Sequence, residues 1–358
     1  MKVLIYGAGA IGRGYLAPLL IQYGAAISFV DINKNIIDLM KKTKKYTALT
    51  TTQSGYDFVD VSISSAYLLD EEDKYIDEYD IVFSCVGPEQ CYDLAKKFKR
   101  ARVVISCEND LSTVEKLRNL SGNPQIYFGI PDVITSNTAP ANYLDNDPLT
   151  TVSEEGVLVL EKGNYDLPSA ISQVSYNELV MHWMCKLFIH NAPHAIVAYL
   201  GHMKGYQYIH EGMNDPEINK VVIGSINEIT EGVIASKYAQ ESYAAMYRDK
   251  EISRFSNKYL YDTIERVARE PIRKLSSDNR LILGMRIAQF NGIKPYYTSI
   301  GIKAALYYNN PDDAQSEYIS QLRSTIGDEH ALKEVAGLEL YDPIIAYIVE
   351  QDLTKFQK

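Results

Sequence analysis

The stretch that decides the fold runs from Lys2 to Asp31 and reads KVLIYGAGAIGRGYLAPLLIQYGAAISFVD. A short apolar strand, Lys2–Tyr6, leads directly into the glycine motif G-A-G-A-I-G at positions 7–12. A helical pattern follows, and a second apolar strand over 26–30 ends at Asp31. This order of strand, glycine motif, helix, strand and acid predicts a βαβ unit that binds a dinucleotide.

Each part of the glycine motif has a physical role in holding a pyrophosphate. Gly7 permits the tight turn after the strand, Gly9 lets the backbone approach the phosphates, and Gly12 allows the helix to pack closely on the strand. The start of the helix adds N–H donors and the positive end of the helix dipole. We therefore expect the dinucleotide to be bound by Gly7, Gly9, Ala10, Ile11 and Gly12.

Asp31 predicts which dinucleotide is bound. A carboxylate at the end of the second strand accepts hydrogen bonds from both hydroxyls of a ribose and repels a 2′-phosphate. We therefore expect NAD rather than NADP as the cofactor. Pro18 lies inside the helical pattern and is expected to kink that helix, because it cannot donate a hydrogen bond to Gly14.

Further apolar strands alternate with helical patterns, which predicts a parallel, doubly wound sheet. Ligands bind beyond the carboxyl ends of the strands in such sheets. Val86, near the end of one strand, is therefore expected to contact the cofactor. Asn109 follows another strand and is expected to face the cofactor or the substrate, although a simple turn residue explains it equally well.

The two halves of the chain differ in their apolar pattern. Residues 1–175 are interpreted as an α/β Rossmann-type domain, which ends in short β-like pieces separated by Pro and Gly over 131–168. From residue 176 onward the periodicity becomes helical. Residues 176–358 are therefore predicted to form an all-α domain that carries the catalytic and substrate-binding residues.

A second informative stretch, YNELVMHWMCKLFIHNAPHAIVAYLG over 176–201, is apolar yet contains Lys186, Asn191 and His194. Burial without a partner lowers the pKa of an ammonium, and such a lysine can act as a general base near neutral pH. Asn191 and His194 offer donors to a carbonyl oxygen that becomes an alkoxide. These residues predict metal-free carbonyl or alcohol chemistry. The alternative is that Lys186 reaches the surface and His194 is an ordinary core residue.

Pro193 lies within the same stretch and cannot donate to the carbonyl of Ile189. We expect the helix to break near residues 190–191, with Asn191 close to an N-cap and Pro193 in the first turn of a new helix. A helix N-terminus would then lie beside Lys186, where its dipole favours the neutral amine.

Basic residues gather between positions 266 and 274 of this acidic chain. Arg266, Arg269, Arg273 and Lys274 are expected to form a basic cluster on a helix that ends at Pro271. Arginine forks suit phosphate or carboxylate groups, so the cluster predicts an anionic substrate. The alternative is a solvated helix end.

Composition limits the classes of function. The 358-residue chain has a net charge of −10 and a pI near 5.2, which disfavours a nucleic-acid partner. It has no apolar run long enough to predict a membrane span. Four cysteines without CxxC spacing indicate a reduced, cytoplasmic protein. A zinc site is not expected, because His190 and His194 lack an HExxH glutamate and a clear third ligand.

Together these features resemble the polyol-specific long-chain dehydrogenases, and the resemblance spans nearly the whole chain. It rests on four segments: GAGAIGRG at 7–14, CEN at 107–109, KLFIHNAPHAIVAYLG at 186–201 and RVAREPIRKL at 266–275. The third segment is the most specific. It contains the pattern K-x4-N-x2-H at the start of the helical half.

The resemblance implies a role for each matching residue. Lys186 would be the acid/base, Asn191 and His194 would hold the reacting oxygen, and Arg266 and Lys274 would bind substrate. Combined with the basic cluster, the predicted substrate-binding set is Asn109, Arg266, Arg273 and Lys274. Two features depart from the family pattern: Ser136 and Asn137 replace an Asp-Arg pair of many relatives, and proline stands at 193. The first departure leaves the substrate open.

The expected activity is that of an NAD(H)-dependent oxidoreductase that interconverts a sugar alcohol phosphate and a keto-sugar phosphate. Mannitol 1-phosphate and fructose 6-phosphate are the expected pair. The alternatives are a dehydrogenase of an unphosphorylated polyol such as mannitol or of a sugar acid such as a hexuronate, and a regulator that binds NAD without turnover. We expect a small-molecule sugar partner, neither nucleic acid nor membrane as a partner, and a monomer or homodimer.

Overall fold

The computed structural model describes residues 1–357, which divide into two units. The first comprises Met1–Trp183 together with Tyr259–Tyr261, and the second comprises Met184–Lys258 and the chain from Asp262 onward. The first unit is built on a β-sheet and the second is built from helices. This confirms the fold class predicted from the sequence, an α/β Rossmann-type half followed by an all-α half.

The sheet of the first unit contains eleven strands within residues 1–357. Their bounds are β1 (Lys2–Tyr6), β2 (Ala26–Asp31), β3 (Lys45–Thr51), β4 (Tyr56–Leu68), β5 (Ile81–Ser84), β6 (Val104–Ser106), β7 (Ile126–Asp132), β8 (Thr135–Ser136), β9 (Thr151–Ser153), β10 (Val157–Glu161) and β11 (Ser172–Val174). Their order in the sheet is β11-β10-β7-β6-β5-β1-β2-β4-β3-β9-β8.

The centre of this sheet, from β7 to β4, is parallel. The chain builds outward from β1 through β2 to β4 on one side, and from β5 through β6 to β7 on the other. The strand order therefore reverses between β1 and β5, and sheets of this kind bind ligands outside the carboxyl ends of the strands at such a point. Gly7 and Cys85 immediately follow these two strands.

Antiparallel pieces extend both edges of the parallel centre. β3 and β4 form a hairpin around Ser54-Gly55, with Lys45–Thr51 paired to Tyr56–Ser62. The second half of β4 then pairs in parallel with β2. On the other edge β10 pairs antiparallel with β7. The short β-like pieces after residue 131 are thus additions to the first unit's sheet.

Helices surround the parallel strands, whose burial on both faces explains their continuous apolar runs. The α-helices up to residue 146 are α1 (Ala17–Ile21), α2 (Lys34–Thr43), α3 (Ala95–Phe98), α4 (Thr113–Ser121) and α5 (Ala141–Asn146). The 3₁₀ segments before β6 are Glu71–Lys74, Ile76–Glu78 and Gln90–Leu94. A π-helical segment, Gly12–Leu16, precedes α1, so Pro18 lies in the first turn of α1.

The helices from residue 176 onward surround one buried helix. Their bounds are α6 (Tyr176–Met184), α7 (Ala192–Lys204), α8 (Ile209–Asn214), α9 (Pro216–Ala235), α10 (Glu241–Phe255), α11 (Ile264–Ala268), α12 (Pro271–Leu275), α13 (Arg280–Phe290), α14 (Tyr296–Leu306), α15 (Ala314–Ala336) and α16 (Pro343–Val349). The 3₁₀ segments are Lys258–Leu260 and Thr354–Phe356. Residues 192–201 of α7 are all buried against α8, α9, α11 and α14, which is why this segment is apolar on every side.

The single helix predicted to carry the basic residues up to Pro271 is wrong. A short 3₁₀ segment, Lys258–Leu260, is followed by Tyr261 with a φ of +50°, and α11 begins only at Ile264. The basic residues therefore do not share one helix ending at Pro271, because α11 and α12 are separated by Glu270 with a φ of +59°. A left-handed residue ends a helix, and Pro271 then starts the next one.

The helix break predicted at residues 190–191 is also wrong. A π-helical segment, Cys185–Asn191, joins α6 to α7 without interruption, and Asn191 has helical φ and ψ and no capping hydrogen bond from its side chain. The new helix N-terminus predicted beside Lys186 is therefore not formed at this point of the chain. Both π-helical segments end two residues before a proline, Pro18 or Pro193. The wider π turn changes which carbonyls face the ring, so the helix continues without the clash that proline causes in an α-helix.

Candidate functional site

The glycine turn after β1 is held by contacts that exclude side chains. Gly7 has a φ of +98°, and a Cβ there would lie 2.6 Å from the carbonyl oxygen of Cys85. A Cβ on Gly12 would lie 2.1 Å from the carbonyl oxygen of Gly7. These two positions accept only glycine because the backbone approaches itself too closely for any side chain.

Gly9 differs, because a Cβ built there would meet nothing within 4 Å. The side of Gly9 from which a side chain would project therefore faces open space rather than the protein's own backbone. Ala10 and Ile11 begin the helical segment that follows, and the first N–H groups of a helix have no partner within it. An open glycine beside such donors fits the approach of a pyrophosphate.

Arg13, to which the sequence analysis gave no role, holds the glycine turn in place through hydrogen bonds. Its side chain is buried and donates from Nε to the carbonyl of Ala8 (2.5 Å), from Nη1 to the carbonyl of Leu149 (2.6 Å) and from Nη2 to Oδ1 of Asn137 (3.1 Å). Three hydrogen bonds from one buried guanidinium fix the conformation of the loop. The position of an arginine directly after the glycine motif was the available signal.

Asp31 is fixed by the backbone and still has acceptor sites. Its Oδ2 accepts from the N–H of Ala8 (2.7 Å) and its Oδ1 accepts from the N–H of Asn33 (2.8 Å). A carboxylate offers about four lone-pair sites, so each oxygen keeps one for a ribose hydroxyl. The geometry fits a bound NAD.

Glu108 is a second residue to which the sequence analysis gave no role. It is buried, and its carboxylate accepts from the Ser84 hydroxyl (2.6 Å) and from the N–H groups of Val86 (3.1 Å) and Gly87 (2.8 Å). Burial raises the pKa of Glu108, and these three donors act in the opposite direction. Glu108 thus fixes the loop after β5, where Val86 is predicted to contact the cofactor. The signal was its place in the CEN segment beside Asn109, which is half-buried.

Ser136 and Asn137 take part in structural bonds of the first unit. Asn137 accepts from Arg13 (3.1 Å), while the hydroxyls of Ser136 (3.2 Å) and Thr138 (2.5 Å) donate to the carbonyl of Tyr261. At these two positions, which depart from the family pattern, Asn137 helps to hold the glycine turn through Arg13, and Ser136 helps to hold the Tyr259–Tyr261 segment.

In the second unit, the π-helical segment determines how Lys186, Asn191 and His194 are arranged. Residues five apart face the same way when hydrogen bonds run from i to i+5, as in a π-helix. Lys186 and Asn191 are five apart within Cys185–Asn191, and His194 follows three residues later in α7, where i and i+3 share a face. The three side chains therefore lie along one face, which an unbroken α-helix would not achieve. Lys186 is half-buried, whereas Asn191 and His194 are buried.

His194 is held from its edge and from its face. Its Nε2 lies 2.8 Å from Oδ2 of Asp262, and its ring stacks on Phe255 with centroids 4.9 Å apart. Asp262 remains ionised, so it only accepts and Nε2 must donate. The other nitrogen, Nδ1, is then a donor only when the ring is doubly protonated, and an acceptor when the ring is neutral.

Asp262 was not singled out from the sequence, although it lies four residues before Arg266. Its Oδ1 accepts from Nε (3.0 Å) and Nη2 (2.5 Å) of Arg266. Burial alone would raise the pKa of Asp262, but Arg266 and His194 outweigh it and lower this pKa to about 2. Arg266 therefore orients His194 through Asp262, in addition to its predicted contact with substrate.

The remaining predicted substrate residues lie on α12. Arg273 pairs with Glu270 (Nη2 to Oε2, 2.6 Å), and its side chain is partly exposed. Lys274 is buried, with 5% of its surface exposed. Burial, followed by the charges of Arg280 and Arg273, holds the pKa of Lys274 well below its usual value.

Within residues 1–357, no group of three or more His, Cys, Asp or Glu side chains is arranged to hold a metal ion. Among the described helices, none combines the length and the apolar character that crossing a bilayer requires.

The fold and these two sets of residues fit the features expected of an NAD-dependent dehydrogenase, and comparisons with known proteins show this class. Residues 1–122 match the mannitol dehydrogenase Rossmann domain, and residues 178–353 match the mannitol dehydrogenase C-terminal domain. The mannitol-1-phosphate 5-dehydrogenase of Caldanaerobacter subterraneus subsp. tengcongensis is 32% identical over 95% of this chain and 94% of its own length. The enzyme of the same name from Clostridium acetobutylicum is 29% identical over 98% of this chain and 99% of its own.

Two solved structures share the fold. Mannitol 2-dehydrogenase of Pseudomonas fluorescens, in a ternary complex with NAD and D-mannitol, has a TM-score of 0.76 at 15% identity and covers 99% of this chain and 93% of its own. A D-sorbitol dehydrogenase has a TM-score of 0.72 at 17% identity and covers 99% and 90%. The chain belongs to the mannitol dehydrogenase family and is an NAD-dependent polyol dehydrogenase. The family resemblance and the cofactor predicted from the sequence are thereby confirmed.

The glycine turn generates a prediction with a built-in control. Gly9→Ala should leave the melting temperature close to that of wild type but raise the dissociation constant for NADH, because the added methyl occupies only the open side of the turn. Gly12→Ala should lower the melting temperature, because its methyl collides with the Gly7 carbonyl. Calorimetry and NADH fluorescence titration measure both effects. Equal melting temperatures for the two variants would contradict this account of the turn.

A second prediction concerns Asp262. Asp262→Asn removes the charge that fixes His194 and Arg266, and one charged hydrogen bond contributes about 1.5–3 kcal/mol. Steady-state kinetics should therefore show kcat/KM reduced roughly 10- to 150-fold, with NADH affinity unchanged. Asp249→Asn, which alters an exposed carboxylate paired with the neighbouring Arg248, is the matched control. If both variants behave like wild type, the Asp262 carboxylate does not position His194.

Proposed function

We propose that this enzyme interconverts mannitol 1-phosphate and fructose 6-phosphate with Lys186 as its acid/base. The observation that carries the proposal is the π-helical register that aligns Lys186, Asn191 and His194 on one face. Two relatives that span nearly the whole chain are named mannitol-1-phosphate 5-dehydrogenase, which supports the phosphorylated substrate over mannitol or a hexuronate.

The reaction balances as fructose 6-phosphate, NADH and one proton giving mannitol 1-phosphate and NAD⁺. Bound NADH supplies the hydride that adds to the ketone carbon. Lys186, in its ammonium form, donates the proton to the oxygen as negative charge develops there. In the reverse direction the neutral amine of Lys186 accepts the hydroxyl proton.

Asn191 and His194 stabilise the developing alkoxide. The side-chain amide of Asn191 donates to the oxygen, and the doubly protonated ring of His194 donates from Nδ1 while Nε2 remains bonded to Asp262. These donors are held by burial and packing before the substrate arrives, so little reorganisation is needed when charge develops. The Asp262 carboxylate stabilises the positive charge that donation from Nδ1 to the alkoxide requires.

The substrate's phosphate requires local positive charge, because the chain carries a net charge of −10. Arg266 is committed to Asp262 and Arg273 to Glu270. Buried Lys274 is the strongest predicted phosphate contact on α12, since a nearby anion favours its charged form and interacts strongly with it out of water. Asn109 remains a substrate contact predicted from the sequence.

Lys186→Ala tests the proposed acid/base. Its kcat for NADH oxidation with fructose 6-phosphate should fall at least ~10²-fold while NADH affinity stays nearly unchanged, because general acid–base catalysis contributes about 10²- to 10⁴-fold. Lys204→Ala is the control, because Lys204 lies on α7 but pairs with Asp215. A wild-type kcat in Lys186→Ala would remove Lys186 from the mechanism.

A further inference from the structure

Arg280, the first residue of α13, is a buried cation that lacks full compensation. Only 5% of its surface is exposed. Its Nε donates to Oδ1 of Asn279 (3.1 Å), but its Nη2 has no hydrogen-bond partner among the described residues. A buried N–H of a charged group without an acceptor is costly. Such a group is expected where a ligand supplies the acceptor.

Positive charges accumulate around this guanidinium. Burial, followed by the charge of Arg273, lowers the pKa of Arg280 to about 9, and Arg280 in turn helps to lower the pKa of Lys274. Arg280 still carries its charge at neutral pH. The carboxylate of Glu270 acts in the opposite direction on both residues, but it is already paired with Arg273. Arg280 is thus a buried cation without a matching anion of its own, and beside it Lys274 is a buried amine whose charged form an anion would stabilise.

Tyr199 adds a neutral donor beside these charges. It is fully buried on α7, and its hydroxyl is without a hydrogen-bond partner in the described chain. Burial raises the pKa of Tyr199, and the charges of Arg280 and Arg273 partly offset this rise. The hydroxyl therefore lies within the field of the cations and is available to donate to an anion.

The backbone next to the cluster is strained. Glu270 adopts a left-handed conformation (φ +59°, ψ +55°), which is unfavourable for a residue with a side chain. Its N–H donates to Oδ2 of Asp313 (2.9 Å), which holds it in place. This conformation ends α11 and starts the short helix that carries Arg273 and Lys274. Strain of this kind persists where the surrounding structure fixes it and is concentrated at functional sites.

The cluster is linked to the reacting residues through α7. Tyr199 follows His194 by five residues on this helix, and α7 contacts both α11 and α13. His194 is also linked through Asp262 to Arg266, on the helix before α12. The reacting residues and the buried cations thus lie on helices that pack against one another.

We propose that Arg280 and the Tyr199 hydroxyl, together with Lys274, form a buried subsite for the phosphate group of the substrate. This inference rests on the proposed function for the identity of the substrate, and adds two residues that determine its specificity. The phosphate accepts from Nη2 of Arg280, from Nζ of Lys274 and from the Tyr199 hydroxyl. Its negative charge compensates the two buried cations.

The test compares Arg280→Met and Tyr199→Phe with wild type. Arg280→Met should lower kcat/KM for fructose 6-phosphate roughly 10- to 150-fold, the loss expected for one charged hydrogen bond, and leave kcat/KM for fructose unchanged. Tyr199→Phe should lower the first value roughly 2- to 12-fold, as for a neutral hydrogen bond. Inorganic phosphate should raise the melting temperature of wild type but not that of Arg280→Met.

The unliganded proteins separate a binding role from a structural one. Arg280→Met removes an uncompensated buried charge, so its melting temperature without phosphate should equal or exceed that of wild type. Arg286→Met, on the same helix, breaks an ion pair with Asp342 and is the control. It should lower the melting temperature and leave the preference for fructose 6-phosphate over fructose unchanged.

Two outcomes would overturn the subsite. One is a preference for fructose 6-phosphate over fructose that is the same in Arg280→Met and wild type. The other is an unliganded Arg280→Met protein that melts below wild type and loses activity equally toward both sugars. Failure of the proposed function would be recognised by a different result, because wild type itself would then not oxidise NADH with fructose 6-phosphate. In that case, phosphate stabilisation that is present in wild type and absent in Arg280→Met would still support the anion subsite.

Discussion

The π-helical turn at Cys185–Asn191 is the constraint on which the proposed chemistry depends. It lets the buried helix pass Pro193 without a break, and it places residues five apart on one side. An α-helical register would turn Asn191 well away from Lys186 and leave the base without its partner donor. The same device precedes Pro18 in the glycine-motif helix. In both segments a proline that would kink an α-helix is accommodated by one wider turn.

Buried charge is handled in two ways in the helical unit. Around His194 it is compensated, because Asp262 is bonded to both His194 and Arg266, and the three groups hold one another in place. Around Arg280 and Lys274 it is not, because the nearby carboxylate of Glu270 is paired with Arg273. Removing one partner from a compensated pair is expected to destabilise the protein, whereas removing an uncompensated charge is expected to be neutral or stabilising. The contrast distinguishes a group that positions a reacting residue from one that awaits an anion.

The sequence was informative where one residue type has one physical explanation. The glycine motif, Asp31 and the alternation of strands and helices predicted the first unit, because glycine spacing and apolar periodicity report directly on local backbone geometry. The register of Cys185–Asn191 was mispredicted, since proline rules describe how an α-helix breaks and do not reveal a π turn that avoids the break. Asp262, Arg280 and Tyr199 were missed for another reason. Their importance lies in what they bond to, or fail to bond to, after residues far apart in sequence are brought together.

The most direct test of the central claim is a crystal structure of the enzyme with NAD and mannitol 1-phosphate. The account predicts a π-helical register through Cys185–Asn191, with Nζ of Lys186, the Asn191 amide and Nδ1 of His194 each about 2.6–3.2 Å from the substrate oxygen that is oxidised. An α-helical register in that segment, with the Asn191 side chain directed away from this oxygen, would contradict it.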